Sequence, residues 1–148
     1  MRCMDTVASA AALLKKKGYR RTPIRGALLK VLVKNDVPLS ALQLQGLLNK
    51  KYPSIHKTTV YRELDVLTKE KIVRELHFSD ATKRYEIMPV NHHHHLVCLV
   101  CEKIEEVELQ KDLDTIEKHI TKKKKFTMVK HSLEFYGVCN VCHKKADV

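Results

Sequence analysis

The sequence predicts an α+β fold in which a basic, largely helical part precedes a smaller part rich in cysteine and histidine. Three observations support this fold class. Apolar residues recur at helical spacing in the first part, the period changes to that of strands near residue 72, and the composition changes near residue 89. We therefore predict two domains, residues 1–88 and 89–148, with a hinge that contains Pro89 and Asn91.

Four helices are predicted in the first domain from apolar spacing and from the residues that begin and end them. Gly18 is suited to ending a helix, whereas Thr22 and Ser40 are suited to capping the start of one. The predicted helices cover residues 5–17, from Pro23 through Leu32, from Ser40 through Leu48, and about 57–69.

Two predicted strands, residues 72–78 and 83–87, flank a turn at 79–82 and so form a β-hairpin. Helices followed by such a hairpin make a winged helix-turn-helix. The second domain is predicted to be a small α+β unit. Its predicted elements are strands at 96–100, 103–108 and 126–138, a helix at 109–121, and a basic loop at Lys122–Lys125.

The positive charge is concentrated in the first domain. The net charge is +11 in all, of which residues 1–90 carry +10 and residues 91–148 carry +1. Such asymmetry favours a polyanionic partner such as DNA, and the alternative is a merely solubilising face. No apolar run approaches the roughly 18–20 residues of a membrane span, and no export signal is evident. We expect a cytoplasmic protein without a membrane partner.

The helix that begins near Lys57 is the candidate recognition helix. Threonine methyl groups suit thymine, and arginine and lysine suit guanine or phosphate. Basic residues before the second helix suit a minor groove, and those of the hairpin suit the DNA backbone. The alternative for each group is an ordinary solvated face. The candidate DNA contacts are Lys57, Thr58, Thr59, Tyr61, Arg62, Arg20, Arg21, Lys83 and Arg84.

Four of the five cysteines form two Cys-x-x-Cys pairs, and Cys3 stands apart. Two such turns provide the four sulfur ligands of a structural zinc site. Disulfides and an iron–sulfur cluster are the alternatives. The predicted structural Zn(II) ligands are Cys98, Cys101, Cys139 and Cys142.

The run His92–His95 leads into an apolar strand. Alternate residues of a strand face opposite sides, so His93 and His95 share one face, and His92 and His94 share the other. Imidazoles combined with carboxylates suit zinc, iron, manganese or nickel. The alternative is a solvated, polar end of a strand.

Three groups of residues, taken together, resemble the ferric uptake regulator family. Their order and spacing match over nearly the whole chain, from about Leu13 to Lys144. The groups are Thr59-Val60-Tyr61-Arg62-x-Leu64, His93-x-His95-Leu96-Val97-Cys98-x-x-Cys101-x-Lys103 and His131-x-Leu133-x-x-Tyr136-Gly137-x-Cys139-x-x-Cys142.

The resemblance implies a homodimeric transcriptional repressor with a winged-helix domain and a C-terminal dimerisation domain. It implies binding to palindromic double-stranded DNA operators when metal is bound, with no enzymatic activity and no small-molecule substrate. The implied regulatory site is Glu86, His93, His95 and Glu106. The implied additional site is His92, His94, Asp114 and His131.

One position departs from the family pattern. The family usually contributes a histidine from the turn before the third helix, and here that position is Pro38. Proline cannot ligate a metal, so Asp36 or water would complete the coordination shell.

The sequence favours Fe(II) as the regulatory metal, with Zn(II) or Mn(II) as alternatives. Zinc sensors of the family commonly use a cysteine in this site, and residues 74–97 contain none. The peroxide-sensing branch favours aspartates where Glu86 and Glu106 stand. The other functions considered are a zinc-sensing repressor, a constitutive zinc-ribbon DNA-binding module, and a metalloenzyme. No His-Glu-x-x-His element supports the metalloenzyme.

Overall fold

The computed structural model describes the backbone of residues 2–88, 93–109, 113–129 and 131–146, and the side chains of these ranges except those of 2–6 and 146. The chain divides into two compact units, Met1–Val90 (the first unit) and Asn91–Val148 (the second unit). The predicted hinge residues Pro89 and Asn91 lie outside the described residues. None of the helices described is both long enough and apolar enough to cross a membrane.

The first unit contains four helices and a three-stranded antiparallel sheet with the order β1-β3-β2. The short strand β1 was not predicted. It pairs with β3 and so attaches the sheet to the loop before the third helix. The elements are α1 (Arg2–Lys16), α2 (Pro23–Lys34), β1 (Leu39–Ser40), α3 (Ala41–Asn49), α4 (Lys57–Lys69), β2 (Val73–His77) and β3 (Lys83–Ile87).

The predicted helix boundaries follow from local hydrogen bonds. Thr22 Oγ1 accepts a bond of 3.1 Å from the backbone N–H of Arg25. Ser40 and Gln43 form a reciprocal capping box at the start of α3. Gly18 follows α1 with φ +84, a left-handed conformation that glycine adopts without steric cost. The predictions for Gly18, Thr22 and Ser40 are therefore confirmed.

A continuous apolar core holds the first unit together. It is formed by buried residues of α1, α2, α3 and α4, closed by Val73 and Tyr85 of the sheet. Leu28, Leu44 and Leu64 are completely buried. This core fixes α3 and α4 as a helix-turn-helix, while β2 and β3 form the wing.

The second unit has a three-stranded sheet with the order β5-β4-β6, and it contains two helices. Strand β4 pairs antiparallel with β5 and parallel with β6. The elements are β4 (His94–Cys98), β5 (Ile104–Val107), α5 (Asp114–Lys124), β6 (Glu134–Gly137) and α6 (Asn140–Ala146).

Two sequence predictions in the second unit are wrong, and one of its helices was not predicted. Lys122–Lys124 belong to the last turn of α5, because lysine is a good helix former and complements the carboxyl end of the helix dipole. The predicted strand at 126–138 is reduced to β6. The residues after Cys139 form α6, which no prediction included.

Candidate metal centres and DNA-binding surface

The four paired cysteines come together in the second unit. Parallel pairing places Cys98 of β4 opposite Gly137 of β6, which brings the two Cys-x-x-Cys turns side by side. All four sulfur atoms lie within 4.8 Å of one another, and the sulfurs of Cys101 and Cys139 are 3.7 Å apart. A tetrahedron with Zn–S bonds of about 2.3 Å has S–S edges of about 3.8 Å. None of the four is in a disulfide, so the arrangement fits zinc.

The surrounding backbone stabilises negative charge on this sulfur cluster. The N–H of Cys139 donates to the Cys98 sulfur at 3.3 Å. Backbone hydrogen bonds from Cys139, Cys101 and Val100 lower the pKa of Cys98 to about 6. Hydrogen bonds with the Cys101 and Cys139 side chains raise the pKa of Cys142 to about 12. Four thiolates therefore require a cation among them, which is the charge that zinc supplies.

A second ligand set lies at the start of β4. The rings of His93 and His95 meet edge to face with centroids 5.0 Å apart, as the predicted strand alternation requires. The Nε2 atom of His93 is 3.7 Å from a carboxylate oxygen of Glu106, and His95 is directly opposite Glu106 in the sheet. Two imidazoles and a carboxylate thus share one face, which is a donor set suited to a divalent transition metal.

Glu86 lies in the first unit, on the wing strand β3. It is buried, and it faces Arg74 across the hairpin. The Nε–H group of Arg74 donates to the Glu86 carboxylate. Sequence reasoning missed Arg74, although the register of the predicted hairpin places it opposite Glu86. The pair holds the carboxylate in place and provides it with a positive partner within the same unit.

The loop before α3 contains Pro38, the position where the family usually has a histidine. Pro38 is buried, and Asp36 is exposed. Asp36 belongs to no cluster of potential metal ligands within the described ranges.

The opposite face of β4 carries a further polar group. The rings of His94 and His131 are 5.8 Å apart, and a ring nitrogen of His94 is 3.2 Å from the carbonyl oxygen of Leu133. A carboxylate oxygen of Glu117, which lies one helical turn after Asp114 on α5, contacts His131. Sequence reasoning missed Glu117, although residues three apart on a helix share a face. His92 lies outside the described residues.

Helix α4 presents its predicted contact residues at its amino end. Val60, Leu64 and Leu67 are buried on its inner face, while Lys57, Thr58 and Arg62 are exposed, and Thr59 and Tyr61 are partly exposed. The first turn has no acidic residue. A helix start of this kind favours phosphate, because its N–H groups and dipole attract anions.

The flanking basic residues differ in their availability. Arg20, Arg21 and Lys83 are exposed, and Lys83 lies 3.1 Å from Glu75. Arg84 is buried. Its guanidinium donates two hydrogen bonds, of 2.8 and 2.6 Å, to Asp80. This group is therefore already paired within the wing, and a DNA contact by Arg84 stays a prediction.

The Arg84 pair stabilises the turn of the wing. Hydrogen bonds from Arg84 lower the pKa of Asp80 to about 2. The guanidinium also lies over the ring of Phe78, 5.5 Å from its centroid. The turn is therefore held by a charged pair together with a cation–π contact.

Comparison with known proteins agrees with this geometry. The model of the Ferric uptake regulator family matches residues 16–136. The ferric uptake regulation protein of Bacillus subtilis is 37% identical over 136 residues, which are 89% of this chain and 91% of the relative. The peroxide operon regulator of the same organism is 35% identical over 92% of each chain.

The solved structures show the same fold. The ferric uptake regulator of Helicobacter pylori, which is described as having three functional metal-binding sites, matches 97% of each chain with a TM-score of 0.83 and 26% identity. The regulator of Vibrio cholerae matches 86% of this chain and 98% of its own, with a TM-score of 0.74 and 32% identity. The predicted α+β fold class is confirmed, as is the resemblance in the sequence. This chain belongs to the ferric uptake regulator family.

Proposed function

We propose that this protein is a cytoplasmic, metal-dependent transcriptional repressor that binds palindromic operator DNA as a homodimer and has no enzymatic activity. The observation that best supports this function is that the second unit contains two separate sets of potential metal ligands. The thiol cluster suits a permanent zinc, whereas the set of His93, His95 and Glu106 suits an ion that exchanges. A purely structural zinc module has no use for the second set.

The structural zinc site consists of the thiol cluster. Zn(II) held by Cys98, Cys101, Cys139 and Cys142 ties β4 to α6 and contributes folding free energy to the second unit. The cluster provides four protein ligands, so it leaves no open position for a substrate.

The resemblance in the sequence adds Glu86 to His93, His95 and Glu106 in the regulatory site. The metal acts through its different affinities for the arrangements of the two units that bind DNA well and poorly. A coupling of ~1–3 kcal/mol would change operator affinity by roughly 5–150-fold. Fe(II) is our first choice of ion, and Zn(II) and Mn(II) are the alternatives.

The additional site lies on the other face of β4. It consists of His94 and His131 with Glu117, which contacts His131. The resemblance in the sequence adds His92 and Asp114 to this group. It would bind a divalent ion that stabilises the second unit.

DNA recognition is assigned to α4. Thr58, Thr59 and Arg62 face base edges in the major groove, and Lys57 and Tyr61 hold phosphates. Lys57 lies over the ring of Tyr61, 5.6 Å from its centroid, and this contact orients both side chains. Arg20 and Arg21 would enter the minor groove, and Lys83 would contact the backbone beside the wing.

The homodimer is supported by the apolar surface of the second unit. Ile116 and Ile120 share a face of α5 and are 55% and 37% exposed, and Phe135 and Tyr136 of β6 are about as exposed. Isologous pairing of such a surface would bury it and place two recognition helices on a palindrome.

The test is binding to a palindromic operator by fluorescence anisotropy at fixed salt. The zinc-loaded protein is compared without added metal and with anaerobic Fe(II), Mn(II) or Zn(II). We expect one ion to tighten binding, and the double variant His93→Ala/His95→Ala to lose this response while it retains its structural zinc. His119→Ala, an exposed histidine of α5, is the matched control. A full metal response in the double variant would refute the regulatory site. Equal binding of the wild type in every condition would indicate a constitutive DNA-binding module.

A further inference from the structure

A cleft of about 700 Å³ opens in the first unit between α1, α2 and α3. No role assigned above uses its interior. Its volume lies within the range of pockets that bind small molecules. Leu14, Leu29 and Leu48 form its base and are at most 3% exposed, so they belong to the core. The more exposed apolar surface of the lining is formed by Val7, Val31 and Leu47. The interior is therefore an apolar floor fixed by the packing of three helices.

The rim of this cleft is cationic. No aspartate or glutamate is among the lining residues that the structure describes. Arg25 is committed to Glu63 at 2.6 Å and to the carbonyl oxygen of Arg20 at 2.7 Å. The other cations have no carboxylate partner among the described side chains. They are Lys15, Arg20, Arg21, Lys30 and Lys51.

A glycine in the middle of α2 keeps one wall of the cleft open. After proline, glycine is the poorest helix former. A Cβ atom placed on Gly26 would meet nothing within 4 Å. The packing of the described chain therefore does not require a glycine here, and a longer side chain would have room to enter the cleft. Ala11 and Ala27 are the other small residues of the lining.

We propose that this cleft binds a fatty acid, with the carboxylate at the cationic rim and the hydrocarbon chain against Val7, Val31 and Leu47. The apolar floor is unsuited to a free phosphate or to a DNA phosphate, whose whole surface needs polar partners. The rim would repel a cationic amphiphile and would leave the head of a neutral one without a charged partner. Burial of the hydrocarbon chain provides the affinity, and the cationic rim selects a ligand with a negatively charged head group.

Binding would also affect DNA if the function proposed above is correct. Arg20 and Arg21 belong both to the rim and to the proposed DNA contacts. A carboxylate bound beside them would neutralise charge that DNA phosphates otherwise use, so operator affinity would fall. The binding inference itself does not depend on this consequence.

The direct test is isothermal titration calorimetry of the zinc-loaded, full-length protein with dodecanoate below its critical micelle concentration. Gly26→Leu places a side chain in the cleft and raises helix propensity, so the variant is expected to fold. Gly46→Leu is the matched control, because Gly46 is an exposed helical glycine of α3 with the same open surroundings and does not line the cleft. Far-UV circular dichroism and the melting temperature verify that both variants are folded.

We expect one dodecanoate per chain in the wild type and in Gly46→Leu, with affinity at least tenfold weaker in Gly26→Leu. Dodecyltrimethylammonium, which has the same chain with the opposite charge, should also bind at least tenfold more weakly to the wild type. Absence of dodecanoate binding would overturn the proposal. Equal affinity in the two variants, or equal affinity for both amphiphiles, would mean an adventitious additive only.

The same proteins separate this inference from the proposed function. Dodecanoate should weaken operator binding by the wild type and Gly46→Leu at least threefold more than it weakens binding by Gly26→Leu. Loss of metal-dependent operator binding in all three proteins without dodecanoate would refute the proposed function, and the calorimetric result would stand.

Discussion

The two units differ in what holds each of them together. The first unit contains the whole apolar core cluster, which joins its helices and its sheet. In the second unit, Cys98 and Ile104 are the buried apolar residues among those described, and His94 and His95 are buried beside them. Helix α5 has no buried residue. Hydrophobic burial thus accounts for the first fold and cannot account for the second.

This difference indicates that the second unit needs a source of stability other than an apolar core. A small domain without sufficient core needs a metal, a disulfide or a partner copy. The thiol cluster fits zinc, and the exposed apolar residues of α5 and β6 are those that we propose to contact a second copy. We therefore expect the second unit to depend on bound species for its stability, whereas the first unit has an apolar core of its own.

The largest effect is expected on removal of the zinc ligands. In the double variant Cys98→Ser/Cys139→Ser, the second unit should lose its zinc and unfold, because metal binding of this kind contributes about 10–16 kcal/mol. The first unit should keep its structure. Two-dimensional amide NMR and zinc analysis measure both outcomes. Cys3→Ser is the control and should retain its zinc. A second unit that stays folded without zinc would contradict the comparison.

A cavity in the apolar core of the first unit should destabilise that unit and leave the zinc site of the second unit unchanged. Leu64→Ala removes a fully buried side chain of α4 and should lower the free energy of unfolding of the first unit by about 2–5 kcal/mol. Urea denaturation followed by circular dichroism measures the loss. The zinc content should not change. Loss of zinc from this variant would show that the second unit depends on the first for its fold.

Charge on the exposed face of α5 should weaken the dimer. Ile116→Glu introduces a buried carboxylate into the proposed interface and should raise the dimer dissociation constant at least tenfold, or about 1.4 kcal/mol. Sedimentation velocity at several concentrations measures this constant. Lys118→Glu, about 200° around the helix, is the matched control. Equal effects of the two substitutions would place the dimer contact elsewhere.

The smallest effect is expected at the wing. Arg84→Ala removes a two-bond ion pair and a cation–π contact from the first unit and should lower its free energy of unfolding by about 1 kcal/mol. Lys83→Ala, which removes an exposed pair with Glu75, should have a smaller effect. Urea denaturation of both variants makes the comparison, and an equal loss would contradict the structural role of Arg84.

The same pair has a defined pH dependence. The pKa of Asp80 is lowered from 3.8 to about 2 in the folded protein. Its contribution to stability is therefore complete above about pH 4 and is lost as the pH falls towards 2. The difference in unfolding free energy between the wild type and Arg84→Ala should remain constant from neutral pH to about 4 and then disappear as the pH falls to about 2. Denaturation at a series of pH values measures this difference, and an earlier loss would contradict the assignment.

Local interactions explain why much of the first unit could be predicted. The caps at Thr22 and Ser40 and the turn at Gly18 involve residues three or four apart, so they can be identified in the sequence. The alternation of His93 and His95 has the same origin, because strand geometry fixes which neighbours share a face. The thiol cluster was also recognisable, since Cys-x-x-Cys spacing places two sulfurs on each turn.

The features that were missed depend on residues distant in the chain. Strand β1 forms because its two residues pair with the distant strand β3, Leu39 with Tyr85 and Ser40 with Arg84. Glu117 of α5 and His131, which precedes β6, meet only in the folded second unit. The ion pair between Arg84 and Asp80 also depends on the folded arrangement, and so does the cleft that three helices line.

The sequence by itself determined the fold class, the family, the helix boundaries of the first unit and the ligand types of the metal centres. Each of these follows from residue type and short-range spacing, which need no knowledge of distant contacts. The tertiary structure decided that Glu117 meets His131, that Arg84 pairs with Asp80, and where a cleft remains. These depend on packing between segments that are distant in the chain, which neither residue type nor short-range spacing determines.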